Sequence, residues 1–271
     1  MKILDGRELA DYVKERQAKQ VRALRQAWNT FPHLAIIIAN DNPVIDTYVR
    51  LKRSYGEDIL VDVTIHKVEQ AEVAELIEKL NTDDTVHGII LQLPLTDPSE
   101  TDTLVAMIAP EKDVDGLGSD ASYGSATATA IDWLLNGYNV TLRDKEIAIV
   151  GNGRLVGAPL AKLWRGGGLN VKVYDDTTEN LPEAIRSADV IVTATGVPGL
   201  ITSNMVSPGK VVVDAGTASE GGVIVGDVAA DVRERQDLTI TPIKGGVGPL
   251  TIAALFDNVI TAARATVAAE S

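Results

Sequence analysis

At 271 residues, with 45% hydrophobic and 23% charged side chains, the chain has the composition of a globular protein large enough to bury a core without cross-links. It has no cysteine, which excludes disulfides, thiolate metal ligands and a cysteine nucleophile; its three histidines, His33, His66 and His87, lie in separate segments without ligand spacing, so no metal is expected. A formal net charge of -13 argues against nucleic acid and anionic membranes as partners, because phosphates are repelled over most of such a surface.

No apolar run is expected to span a membrane, and the first residues lack the basic-then-apolar pattern of a signal peptide, so the expected location is cytoplasmic. In chain order, Leu9, Val13, Val21, Leu24 and Trp28 recur at helical intervals, and 34–39 reads as a buried strand. Asn42-Pro43 supplies a cap and a first-turn proline for a helix running to about Tyr55. A strand over 61–66, a helix over 70–80 and an apolar strand over 88–93 follow, and this alternation implies a parallel sheet. The pattern breaks at 110–116 and stays loop-like to about Ser125. A helix over 127–136 then opens a second alternating set, with strands at 146–150, 171–174, 190–194, 211–214 and 238–241 and a last helix over 251–268.

The strand at 146–150 runs directly into Gly151-Asn152-Gly153-Arg154-Leu-Val-Gly157. A helix follows, and Asp175 and Asp176 stand at the end of the next strand. Glycines let the main chain turn tightly and approach a pyrophosphate, whose charge is met by the amides and positive dipole end of a helix. Strand, glycine turn, helix and acid in this order predict a dinucleotide site. Thr195 and Gly196, just past the strand at 190–194, are assigned to the same cofactor-binding set.

Tyr48 and Lys52 stand four apart on one helix and so share a face. The pair suits stacking of a flat heterocycle beside an amine that passes a proton; equally, the ring packs on the sheet while Lys52, like Arg50 and Arg53, faces water. Gln92 is polar inside an apolar strand, either a sheet-end hydrogen bonder or a site residue at a strand's carboxyl end. Asp113 and Asp115 read as turn formers or as substrate binders, with nothing local to separate the two. The segment from Thr241 to Thr251, with three glycines and two prolines, reads as a rigid loop, either a plain connector or a wall of a cleft.

Taken together, Tyr48-Val-x-x-Lys52, Gln92-Leu-Pro-Leu95, Lys112-Asp-Val-Asp-Gly116, Val156-Gly-x-Pro159 and Gly245-Gly-Val-Gly-Pro-x-Thr251 resemble, in the same order, the methylenetetrahydrofolate dehydrogenase/methenyltetrahydrofolate cyclohydrolase family. The resemblance spans nearly the whole chain. It implies a two-domain α/β subunit: an N-terminal α/β catalytic domain, 1–125 completed by 248–271, and a Rossmann-like domain with a parallel sheet, 126–247. The C-terminal helix would return to the first domain, the substrate would lie in the cleft between domains, and the subunit would form a homodimer. By the same resemblance Tyr48 stacks on the folate, Lys52 handles the proton, Gln92 tunes it, and Asp115 holds the pterin. Gly151, Asn152, Gly153, Arg154 and Gly157 carry the pyrophosphate, while Gly246 and Pro249 line the substrate cleft near the nicotinamide. The implied chemistry is hydride transfer from 5,10-methylenetetrahydrofolate to NAD or NADP, then hydration to 10-formyltetrahydrofolate, with no metal. A dehydrogenase that has lost the second step, and a non-catalytic NAD-binding regulator, are the alternatives.

Three departures from that family's pattern stand out. The family's usual His-Pro pair, Asn and Pro-x-Thr-Pro stretch are replaced by Leu117-Gly-Ser-Asp and Ser125-Ala-Thr-Ala over a shorter loop, and Lys244 stands where a proline is usual. Where NADP-using members carry Arg-Ser and a Ser or Arg, this chain has Asn152-Gly153 and Asp175-Asp176. A carboxylate accepts hydrogen bonds from ribose hydroxyls but repels a 2′-phosphate, so NAD is expected over NADP, with Arg154 the residue that argues the other way.

Overall fold

The computed structural model describes residues 1–220 and 223–270. In chain order the elements are β1 (Lys2–Ile3), α1 (Gly6–Trp28), β2 (His33–Ile38), α2 (Pro43–Ile59), β3 (Asp62–Lys67), α3 (Val73–Asn81), β4 (Gly88–Gln92), α4 (Thr101–Ala106), α5 (Ala126–Gly137), β5 (Ile147–Val150), α6 (Gly157–Gly166), β6 (Val171–Tyr174), α7 (Leu181–Arg186), β7 (Val190–Thr193), β8 (Val211–Asp214), β9 (Ala218–Glu220), β10 (Val223–Val225), α8 (Ala230–Arg233), β11 (Thr239–Ile240) and α9 (Val247–Glu270). They group into two compact units: Asp11–Ala126 with the chain from Ile252 onward, and Met1–Ala10 with Thr127–Thr251.

The first unit is built on a parallel three-stranded sheet in the order β3-β2-β4. β2 is central and its residues Leu34 to Ile37 are fully buried, as the unbroken apolar run requires of a strand covered on both faces. On one face Val73, Ile77 and Leu80 of α3, spaced at helical intervals, pack with Ala35, Ile37, Ile89 and Leu91 and with Leu104 and Val105 of α4. The α3 helix is preceded by a 3₁₀ turn at Gln70–Glu72, so the helix expected from residue 70 tightens in its first turn. A further layer joins α1, α2 and α9. The rings of Tyr55 and Phe256 stack with centroids 5.1 Å apart. The Tyr55 hydroxyl donates to Gln17 Oε1 (2.8 Å), and the fully buried Gln17 amide donates to the Ala253 carbonyl (2.8 Å). A buried amide thus meets the partners it needs.

The second unit holds a six-stranded parallel sheet, β1-β11-β8-β7-β5-β6, and a separate antiparallel pair, β9 with β10. From β5 the chain crosses first to β6 on one side and then to β7 on the other. This reversal is the switch point at whose carboxyl ends an open α/β sheet binds ligands.

The structure adds detail to three sequence expectations. β1 hydrogen-bonds along β11, so residues 1–10 group with the second sheet, because an exposed sheet edge is satisfied by any strand that reaches it. The loop expected through Thr251 ends earlier: α9 starts at Val247, and Pro249 sits in its first turn, where the missing N–H has no intrahelical partner to lose. Finally, among the described residues one helix is long and apolar enough to cross a membrane, Val247–Ala268, and 56% of its apolar window is buried within the protein, as for a core helix.

Candidate active site

In the first unit the chemistry gathers at the carboxyl end of β4. Pro43 opens α2, with the Asn42 carbonyl accepting from the Asp46 amide (3.1 Å), and the helix carries Tyr48 and Lys52 one turn apart. The Lys52 ammonium donates to Gln92 Oε1 at 2.7 Å, and the Gln92 amide nitrogen donates to the Leu93 carbonyl at 3.1 Å. An ammonium has no lone pair, so this bond fixes which end of the glutamine amide faces the lysine. Of the two readings of Lys52, the solvated one is ruled out: Arg50 and Arg53 are exposed, whereas Lys52 is partly buried and bonded.

Burial pulls Lys52 below the ordinary lysine range, with the Asp115 carboxylate pulling the other way. Burial pushes the Asp115 carboxyl up; the Lys52 charge opposes this and Asp113 adds to it. Burial likewise raises the Tyr48 phenol, which stays protonated and offers its ring and one O–H. A lysine whose charged form is disfavoured exchanges a proton closer to neutral pH than a solvated one.

The structure also separates the two aspartates. Asp113 is buried (2% exposed), its Oδ1 accepting from the Gly116 amide (3.0 Å) and its Oδ2 from the Gly118 amide (2.7 Å), which makes it the turn former. Asp115 is the one electrostatically coupled to Lys52. The altered loop at 117–125 folds back on itself. Ser122 N–H donates to the Pro110 carbonyl (2.9 Å), and the Asn258 side chain on α9 donates to the carbonyls of Val114 (2.9 Å) and Gly124 (3.1 Å).

In the second unit the glycine turn lies at the switch point. Gly151 has φ of +101°, its amide donates to the Tyr174 carbonyl (2.7 Å), and a Cβ there would stand 2.5 Å from the Ala194 carbonyl oxygen. Gly157 opens α6, and a Cβ there would collide with the Gly151 carbonyl oxygen. By contrast, among the described residues no atom beyond Gly153 and its two chain neighbours lies within 4 Å of a Cβ built at Gly153, so the packing does not demand a glycine there. Tight turn, open approach and close helix packing are the three roles a dinucleotide turn divides among its glycines, so these residues fit an NAD(P) pyrophosphate. Asn152 and Arg154 are exposed on the same turn.

Asp175 follows β6 directly. Its Oδ1 accepts from the Thr177 hydroxyl (2.6 Å) and amide (3.1 Å), and these bonds hold the carboxyl below its usual range. Asp176 is exposed beside it. Thr195 donates its amide to Asp227 Oδ2 (2.6 Å), and Gly196 continues with φ of +70°.

Sequence reasoning missed two constellations. Asp227, fully buried, also accepts from the Thr193 hydroxyl (2.7 Å) and donates its amide to Asp214 Oδ1 (3.0 Å). Asp214 in turn is salt-bridged to Arg233, whose Nη1 donates to the Thr241 carbonyl (3.1 Å). Burial pushes the Asp214 carboxyl up while hydrogen bonds from Asp227 and Val228 and the Arg233 charge draw it back. The signal available was a Gly-Asp pair, Gly226-Asp227, beside apolar strands. The second is a clasp at the start of α1. The Gly6 amide donates to the Gly245 carbonyl (2.8 Å), Arg7 Nη2 donates to the Lys244 carbonyl (2.9 Å), and a Cβ at Gly6 would collide with the Gly246 carbonyl oxygen. Nothing in the sequence marks a contact between residues that far apart.

Comparison with known proteins agrees with this geometry. Residues 4–115 match the family model "Tetrahydrofolate dehydrogenase/cyclohydrolase, catalytic domain", and residues 125–267 match "Tetrahydrofolate dehydrogenase/cyclohydrolase, NAD(P)-binding domain". The chain is 36% identical to the bifunctional protein FolD of Lactobacillus acidophilus, over 97% of each. It is similar in structure to the bifunctional FolD of Campylobacter jejuni (TM-score 0.92, 34% identity, covering 98% and 99%). A FolD of Trypanosoma brucei solved with NADP and an inhibitor is likewise similar (TM-score 0.91, 29% identity, covering 98% of each). With the two family models matched in succession over most of its length, and relatives 36% identical over 97% of it, the chain belongs to the tetrahydrofolate dehydrogenase/cyclohydrolase family.

Proposed function

We infer that the protein oxidises 5,10-methylenetetrahydrofolate to the 5,10-methenyl cation and hydrolyses that cation to 10-formyltetrahydrofolate. The observation that carries this is the Lys52–Gln92 bond of 2.7 Å at a strand's carboxyl end, one turn from Tyr48, in a chain of this family. When bound, NAD(P)+ supplies the acceptor for the hydride. Tyr48 stacks against the folate ring system and Asp115 holds the pterin. Lys52, oriented by Gln92, handles the proton lost as water adds to the methenyl carbon, and its lowered affinity for a proton suits that exchange. Gly246 and Pro249 line the substrate side near the nicotinamide.

On this reading residues 1–125, completed by 248–271, are the folate-binding catalytic domain and residues 126–247 the Rossmann-like nucleotide-binding one. NAD is preferred over NADP. Asp175, whose Thr177 bonds hold its carboxyl below its usual range, stands where a 2′-phosphate would be repelled and a ribose hydroxyl accepted. Thr195 and Gly196 border the same nucleotide, and Arg154 meets its phosphates. The subunit works as a cytoplasmic homodimer and needs neither metal, nucleic acid nor membrane.

Two measurements test this. Steady-state assays of methylenetetrahydrofolate oxidation with each cofactor should give a higher kcat/KM with NAD+; a higher value with NADP+ overturns the preference. Protein should accelerate the loss of methenyltetrahydrofolate absorbance. No acceleration would leave a dehydrogenase alone, with the short 117–125 loop the place to look for the cause.

A further inference from the structure

Gln92 orients Lys52, but Gln92 itself ends a strand and is followed by a turn, so its direction depends on how that turn is held. The chain from Leu93 to Asp97 is tied at three points. The Asn40 amide nitrogen, two residues past the end of β2, donates to the Pro94 carbonyl at 3.1 Å. The Thr96 hydroxyl donates to the Ala39 carbonyl at 2.8 Å. Gln70 exchanges two bonds with Asp97, its Oε1 accepting from the Asp97 amide (2.8 Å) and its Nε2 donating to the Asp97 carbonyl (3.1 Å). Of the three tethers, Asn40 holds the residue nearest Gln92 in sequence, and β2 beneath it is the most deeply buried strand of this sheet, paired through Ile38 with Gln92 itself. A side chain anchored on a rigid strand transmits that rigidity to whatever its hydrogen bond holds.

We propose that Asn40 is a positioning residue for the Lys52–Gln92 pair: through the Pro94 carbonyl it fixes the turn on which the Gln92 amide is aimed at the lysine. The inference rests on the reading of Lys52 as the proton-handling group. Asn40 touches neither reacting atom and acts through the peptide groups of Leu93 and Pro94, of which Leu93 supplies the carbonyl that the Gln92 amide nitrogen holds. Losing the tether lets the amide swing, and the bond that favours the charged lysine weakens. The lysine then becomes easier to deprotonate.

The test uses Asn40→Asp, which keeps the shape but cannot donate, Asn40→Ala, and Thr96→Val, which removes the neighbouring tether. Asn40→Asp and Asn40→Ala should each lower kcat for methenyltetrahydrofolate hydrolysis roughly five- to tenfold, as expected for a loss of orientation rather than of a reacting group. KM for the nicotinamide cofactor should hold, and the lysine limb of the kcat–pH profile should move to lower pH by about half a unit. Thr96→Val should move both in the same direction by less. Wild-type kcat and pH profile in folded Asn40 variants overturn the proposal, as does a fall in Tm with activity per folded molecule unchanged. Lys52→Met run in parallel separates the two levels. If it retains turnover, the reading of the lysine fails; if it is inactive while the Asn40 variants behave as wild type, only the positioning role fails.

Discussion

The two units build their sites from different materials. In the first, side chains from separate elements converge: Lys52 from α2, Gln92 from β4 and Asp115 from the loop that follows α4. In the second, backbone does most of the work, since Gly151 and Gly157 are dictated by collisions that a single methyl group would cause. The contrast matters because the two kinds of site fail differently. Removing a functional group from the first should stop chemistry and spare the fold, whereas adding atoms to the second should disturb binding and fold together.

The largest effect should come from Lys52→Met, which replaces the ammonium by an apolar chain of similar length. Turnover of methenyltetrahydrofolate should fall at least about 100-fold, the usual scale for a general acid or base. Cofactor affinity, measured by fluorescence titration, should not change, because Lys52 belongs to the other unit. Loss of cofactor binding in this variant would break the contrast between the units.

Next come paired glycine substitutions. Gly157→Ala forces a methyl group into the Gly151 carbonyl oxygen, a backbone contact that cannot swing aside, and should cost about 1–3 kcal/mol of stability along with cofactor affinity. Gly153→Ala adds a methyl group that, among the described residues, meets nothing within 4 Å beyond its own chain neighbours. It should keep the wild-type Tm and weaken cofactor binding only, because the methyl group occupies space a pyrophosphate would use. Equal Tm losses in the two variants would sink that division of roles.

Asp175→Ser should raise the ratio of kcat/KM for NADP+ over NAD+ by about tenfold, equivalent to about 1.4 kcal/mol of relieved repulsion and lost ribose bonding. An unchanged ratio would assign cofactor choice to another residue, with Arg154 the first to examine.

The smallest effect concerns a group outside both sites. His87 is buried, and desolvation, then the charges of His33 and Lys112, depress its pKa below the ordinary value of 6.5. Its neutral form is favoured in the folded state, so the stability it contributes is intact above the unfolded pKa. That stability is lost as pH falls through 6.5 toward the lower folded value. His87→Gln should therefore shrink the fall in Tm between pH 7 and pH 5, by ~2 °C. A larger fall in the variant would reverse the sign of the argument.

Legibility from sequence followed the same divide. The glycine turn was readable because strand, turn, helix and acid are contiguous, and each imposes a local backbone requirement that leaves its own residue signature. β6 and β8 matched their expected spans, since short apolar runs bounded by turns have few alternatives. The Tyr48 and Lys52 pair was visible as a shared helix face, but sequence left open whether the lysine faced water. Only the strand 40 residues away that brings Gln92 to its ammonium decided it. Asp113 and Asp115 were equivalent on paper and differ in the structure by which one the turn consumes. β1 was missed because a two-residue strand carries almost no periodic signal and forms only where a sheet edge is available.

What the chain determined by itself was therefore everything written in consecutive residues: two alternating α/β sets, the nucleotide turn and the apolar faces of the helices. Only tertiary structure decided the electrostatic state of Lys52, which of two aspartates opposes it, and the clasp of Gly6 and Arg7 on the 244–246 loop. The physical reason is range. Backbone conformation and amphipathic periodicity act over a few residues, whereas burial, desolvation and charge coupling depend on atoms that the sequence separates and folding brings within hydrogen-bond reach.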